Sequence, residues 1–222
     1  MTEIPEYLRL LWGGAVEERP GPKRTLDLRS IAAAGVRLAD ESGLAAVSMR
    51  NVAAQLGLTS MALYRYVGSK DDLITIVVDE AYGEPKPTSG TWRERLGAWA
   101  RSNRAALQAH PWIMQVPITE PPLAPNQIAW MEEGLQSFQR TELTPQQKLS
   151  AMLLVNVYVQ GQTKLGAGMT PEAGQLYSSR LRELVDPERF PEVARVGAAD
   201  VDEFEFGLET VLDGIEALTR RR

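Results

Sequence analysis

The chain contains no cysteine and one histidine, His110, in 222 residues. The first absence excludes disulfides and thiolate chemistry. The second leaves too few ligands for a zinc site or a histidine-based catalytic array. No uninterrupted apolar run approaches the ~20 residues needed to span a bilayer, and the opening MTEIPEYLRLLWGG lacks the basic leader and long apolar core of a secretory signal. There is no phosphate-loop or metal-ligand spacing, no alternating strand pattern and no internal repeat. The expectation is therefore a cytoplasmic protein that is not an enzyme, with no membrane partner, no cofactor and no metal.

What is present is ordinary in amount and uneven in distribution. Hydrophobic residues make up 44% and charged residues 24%, and the length suits a compact N-terminal module followed by a larger domain. The net charge is −5, yet residues 19–70 hold eight basic side chains against three acidic ones. That local excess removes the objection that an acidic protein would avoid nucleic acid.

Residues 17–23, EERPGPK, carry two prolines and a glycine among charges, as a mobile arm does. Order is expected from Thr25, which can cap a helix with Leu28, Ile31, Ala32, Gly35, Leu38 and Ala39 on one face and Gly43 as its stop. Ser48 offers a cap for a helix to Leu56, Gly57 breaks it, and Thr59 caps the next over 60–67. Another helix starts at Ser69, with Asp72 completing an approximate capping box. The Gly, Pro and Ser density of GEPKPTSG (83–90) marks a junction. The resulting division is an arm over 1–24, a compact helical module over 25–83 and a larger helical domain over 84–222. In the last, helices are predicted over 91–109, 126–140, 144–164, 171–184 and 200–218, with a proline-rich connector before the second. The fold class is all-α.

The stretch SMRNVAAQLGLTSMALYRYVGSK (48–70) carries the functional signal. Leu63 and Val67, four apart, can pack inward on Val52, Ala53 and Leu56, which turns Ser60, Met61, Tyr64 and Arg65 outward together. A guanidinium can bond a guanine edge, a methionine can touch a thymine methyl and a serine can reach a base or phosphate. Tyr64, Tyr66 and Lys70 suit phosphates, and the helix N-termini at Thr59 and Ser69 add N–H donors. The same pattern also fits a small helical bundle whose tyrosines and arginine are incidental surface.

Residues 44–74, LAAVSMRNVAAQLGLTSMALYRYVGSKDDLI, resemble the DNA-binding domain of the tetracycline-repressor (TetR) family, and EFEFGLETVLDGIEAL (203–218) resembles the last helix of its C-terminal domain. The resemblance implies a three-helix helix-turn-helix domain followed by a larger ligand-binding and dimerisation domain. Carried over by position, the family's groove and phosphate contacts fall on Met49, Arg50, Thr59, Ser60, Met61, Tyr64, Arg65, Tyr66 and Lys70. Two features depart from the family: Met61 stands where smaller or more polar residues are frequent, and the arm with Arg19, Lys23 and Arg24 is long. That arm reads equally as a minor-groove element or a solvated tail.

The resemblance further implies a homodimer in which the helices over 144–164 and 200–218 meet their copies. Phe204, Leu208, Val211, Leu212 and Ile215 form an apolar stripe that fits either that interface or the intrachain core. Trp99, Asn103, Trp112, Met114, Trp130, Phe138, Asn156, Tyr158 and Gln162 offer an aromatic wall with a few polar groups for a small, largely apolar effector; core packing is the competing role for each. Residues 112–119 hold no histidine to carry a magnesium–drug complex. His110 reads as a helix terminus, and Glu132-Glu133 with Asp200, Asp202 and Glu203 read as solvated acidic faces. The expected function is transcription regulation: a repressor that binds a palindromic operator in double-stranded DNA and is released by an unidentified effector. The alternative is an activator or a ligand-independent DNA-binding protein of the same fold.

Overall fold

Side-chain caps set most helix starts in this chain. In the computed structural model, which describes residues 4–14, 27–118, 121–167, 170–195 and 202–220, the described residues form eleven α-helices and no strand. They are α1 (Glu6–Leu11), α2 (Leu28–Ser42), α3 (Met49–Gln55), α4 (Ser60–Leu63), α5 (Lys70–Tyr82), α6 (Trp92–Ala109), α7 (Pro125–Gln136), α8 (Pro145–Ala167), α9 (Pro171–Leu184), α10 (Pro191–Arg195) and α11 (Glu203–Thr219). Short 3-10 turns lie at Leu44–Ala46 and Pro111–Gln115.

Ser48, Thr59 and Ser69 accept the N–H groups of Asn51, Ala62 and Asp72 at 3.2, 3.3 and 3.0 Å, each binding an N–H that the first helical turn leaves over. Thr91 and Glu94 form a reciprocal capping box at α6. Gly43 ends α2 at φ 77°, where a Cβ would be strained.

Four local expectations change. Thr25 lies outside the described residues; α2 begins at Leu28, with the Asp27 carboxylate accepting the Ser30 N–H at 2.7 Å. The arm drawn over 1–24 contains α1, whose Leu8 is buried and which packs on α2 and α5. Six residues are too short to show periodicity, and such a helix persists only by tertiary packing. The recognition segment is regular helix only to Leu63, then continues as turns in which the N–H groups of Tyr66 and Val67 both bond the Leu63 carbonyl. Helix α7 starts at Pro125 and ends at Gln136, short of Arg140.

The chain packs as two compact units, residues 1–141 and 142–222. The first therefore extends well past the compositional junction at 83–90. The reason is that this junction is clamped: the N–H and hydroxyl of Thr88 both donate to Glu133 Oε1, at 2.7 and 2.6 Å, and Arg95 Nε donates to the Thr88 hydroxyl at 3.3 Å. Glu133 is thus a largely buried tie from α7, not part of a solvated acidic face. Within this unit α2 lies against α5, and Gly35 allows a close approach; a Cβ there would stand 2.2 Å from Val77 Cγ2.

In the second unit α8 packs on α11. The Tyr158 hydroxyl lies 2.9 Å from the carbonyl oxygens of both Glu203 and Phe204, passing over Gly207, where a Cβ would come within 2.3 Å of it. Phe204, Leu208, Leu212 and Ile215 are fully buried, so the stripe read from the sequence is intrachain core, with Val211 at its margin. Asp202 caps α11. Among the described residues, no helix is long and apolar enough to cross a membrane.

Candidate nucleic-acid interface

Helices α3 and α4 meet across Leu56, Gly57 and Leu58. Gly57 takes φ 68°, and the Leu58 N–H returns to the Ala53 carbonyl at 2.8 Å, so the chain reverses within one turn. Val52, Ala53, Leu63 and Val67 are buried between the two segments. The Asn51 amide donates to the Ala46 carbonyl at 2.8 Å, fixing the start of α3 to the turn before it.

Burying Leu63 and Val67 fixes the opposite face. Thr59, Met61, Tyr64 and Arg65 are exposed on it, Met61 at 74% and Tyr64 at 50%, with Ser60 and Tyr66 half-buried beside them. Arg50 on α3 and Lys70 at the start of α5 are exposed as well. The arrangement offers cations to phosphates and a mixed polar and apolar tip to base edges.

Met49 does not join this face. It is 7% exposed, because the first residue of α3 turns its side chain into the core. At the helix N-termini read as N–H donors, the Thr59 and Ser69 caps each take one first-turn N–H, of Ala62 and Asp72.

The aromatic residues nominated for an effector wall bind elements of the first unit to each other. Trp99 Nε1 donates to the Trp130 carbonyl at 2.9 Å, and Trp130 Nε1 donates to the Gly83 carbonyl at 3.0 Å. The Trp130 ring meets Tyr82 and Trp99 edge-on, with centroids 6.3 and 6.4 Å apart, and burial pushes the Tyr82 phenol up to about 12. Phe138 is fully buried and stacked on Trp92. Asn103 is buried and Met114 half-buried. In the second unit, Tyr158 is occupied by the α11 carbonyls, while Asn156 and Gln162 are half-buried.

Two carboxylates absent from the residues singled out by motif and spacing hold α2 and α5 to the rest of this unit. Asp40 Oδ1 on α2 lies 2.8 Å from His110 Nδ1 and accepts Trp112 Nε1–H at 2.7 Å, so His110 is a tie as well as a helix terminus. Asp79 on α5 is 2% exposed, and its Oδ1 accepts the Gln127 N–H at 3.0 Å. Helix α7 has Ala124 at its N-cap and no local side-chain cap, so a residue 48 positions away in sequence does that work. Burial raises the Asp79 carboxyl above the usual range, opposed by the hydrogen bonds from Gln127 and Asn126. The sequence held a signal for this: a helix opening at Ala-Pro with no Ser, Thr, Asp or Asn to cap it.

Residues 31–75 match the family model described as bacterial regulatory proteins, tetR family, and residues 84–219 match the tetracyclin repressor-like C-terminal domain. The HTH-type transcriptional repressor DrrR1 of Streptomyces coeruleorubidus is 33% identical over 238 aligned positions, covering 99% of this chain and 88% of that protein. Apo ActR from Streptomyces coelicolor superposes with a TM-score of 0.78 at 25% identity, covering 88% of this chain and 97% of that one. ActR in complex with (S)-DNPA gives a TM-score of 0.75 at 25% identity, covering 88% and 99%. With both family models in sequence order and the outward face of the α3–α4 turn in the first of them, the chain belongs to the tetR family, whose members are DNA-binding transcriptional regulators and not enzymes.

Proposed function

We propose that this protein is a cytoplasmic, homodimeric transcriptional repressor that holds a palindromic operator and is released by a small, largely apolar effector bound within residues 84–219. The observation that carries the DNA-binding part is the face formed by Thr59, Ser60, Met61, Tyr64 and Arg65, flanked by the exposed cations Arg50 and Lys70. Repression is supported by the relative DrrR1, named a transcriptional repressor, and effector control by ActR, which has been crystallised with (S)-DNPA. A dimer is supported by side chains left outside the α8–α11 core. Leu154 and Val157 on α8 and Phe206 on α11 are exposed large apolar groups on elements that already bury a full stripe.

One recognition segment reads few base pairs, so two copies on half-sites about one helical turn apart, roughly 34–36 Å, supply useful specificity. Release requires the effector to bind the two states of the dimer unequally. The test is selection of duplexes from a randomised DNA library by the full-length protein, followed by gel shift of the winners. A two-fold symmetric consensus whose affinity falls steeply with salt is expected. Recovery of no consensus refutes the reading. An effector screen then follows operator release; ligands that raise the melting temperature and release DNA together support the gated model.

A further inference from the structure

Among the described residues between Asp27 and Pro117, the exposed large apolar side chains are Leu58, Met61 and Tyr64, and all three belong to the recognition segment and its lead-in. Met61 and Tyr64, three apart in helical backbone, stand on one side of the segment, and Leu58 comes just before the Thr59 cap. The other large apolar groups of this stretch are buried or half-buried, the neighbouring Leu63 and Val67 fully buried. A single exposed leucine needs no explanation, but three exposed apolar groups within seven residues of the recognition segment do.

The geometry points to apolar readout: Met61, the most exposed of the three, is a specificity-determining residue that packs on the C5 methyl of a thymine in each operator half-site. This rests on the operator-binding reading above. The occupant follows from the surroundings, because Arg50, Arg65 and Lys70 are exposed on the same region and favour a polyanion over an apolar protein surface. Within a duplex major groove, the thymine methyl is the apolar group that base edges present. Met61 reaches it from a fixed backbone: the Thr59 hydroxyl accepts the Ala62 N–H, and the Tyr64 N–H bonds the Ser60 carbonyl at 3.1 Å. Methionine, unbranched and polarisable, follows a methyl without a demanding rotamer. An operator chosen by this protein therefore holds at least one thymine per half-site whose methyl, not its hydrogen-bonding edge, is read.

The experiment replaces each thymine of the selected operator, one at a time, by deoxyuridine, which removes the methyl and leaves every hydrogen-bonding group. Binding of the full-length protein is followed by fluorescence anisotropy. For the unaltered protein, one position per half-site is expected to weaken binding about fourfold, the factor corresponding to burial of one methyl-sized group. In Met61→Ala the same replacement should have no further effect. Met61 is exposed, so the variant's melting temperature should match the parent's and exclude misfolding as the cause. A flat deoxyuridine scan of the unaltered protein overturns the inference while leaving operator binding intact. So does a penalty that persists undiminished in Met61→Ala. Failure to select any sequence-specific duplex overturns the operator reading itself, and this inference with it.

Discussion

Substituting Asp79 tests whether a carboxylate on α5 caps α7 from a distance. In Asp79→Ala the Gln127 N–H loses a charged acceptor 3.0 Å away in a partly buried position, while the Asn126 side chain keeps its bond to the Asp79 main-chain carbonyl. A hydrogen bond to a charged group contributes about 1.5–3 kcal/mol, and loss of a helix N-cap costs about 0.5–2 kcal/mol. These describe one interaction from two sides, so a loss of about 2–3 kcal/mol is expected. For a chain of this size that lowers the melting temperature by about 5–10 °C, which circular dichroism resolves. Asp79→Asn keeps one acceptor and removes the buried charge, so it should be more stable than the alanine variant at neutral pH. The pH dependence adds a second readout. Burial raises the folded-state carboxyl above its usual value near 3.8, so in that interval the folded chain binds more protons than the unfolded one. The parent must gain stability relative to Asp79→Asn as pH falls through the raised value, and the gain is complete below 3.8. An alanine variant less than about 0.5 kcal/mol below the parent, under the lower edge of the usual cap contribution, would refute the capping role. A parent-to-asparagine gap that ignores pH would refute the buried-charge argument.

Three further substitutions probe other parts of the molecule. Gly35→Ala should destabilise by about 1–3 kcal/mol through overpacking on Val77, despite alanine's better helix propensity, and Val77→Ala in the same chain should recover part of it in chemical denaturation. Arg65→Ala should cost about 1–3 kcal/mol and relax preference at one operator position if the guanidinium reads a base; uniform weakening across sequences with a shallower salt dependence would make it a phosphate contact. Val157→Glu places a charge on the exposed apolar face of α8, so sedimentation should show monomers and operator affinity should collapse, while helix content stays unchanged.

Signals that act within a few residues are legible in the sequence. The caps at Ser48, Thr59 and Ser69 and the stops at Gly43 and Gly57 depend on short-range hydrogen bonds and backbone sterics, so residue type and spacing suffice. The inward pair Leu63 and Val67 follows from helical period, and with it the outward set Ser60, Met61, Tyr64 and Arg65. Short range also explains the misses. Periodicity says that α11 has apolar residues on two sides but not which side meets α8. Packing decides that Phe204 is core and Phe206 is surface. The indoles of Trp99, Trp112 and Trp130 advertise a binding wall in the sequence, yet each N–H ends on a protein acceptor.

By itself the sequence determined an all-α chain, the helix-turn-helix between Ser48 and Lys70 and the chemistry of its outward face, because caps, glycine turns and a 3.6-residue period are local properties. Only the tertiary structure decided that Met49 is buried, that 83–90 is clamped by Glu133 and Arg95, and that Asp40 and Asp79 hold the DNA-binding helices to the Trp112 turn and to α7. The hydrogen bonds among these join residues seven to 72 positions apart. At the longer separations burial and hydrogen bonding depend on which surfaces meet, and no short window of sequence contains both partners.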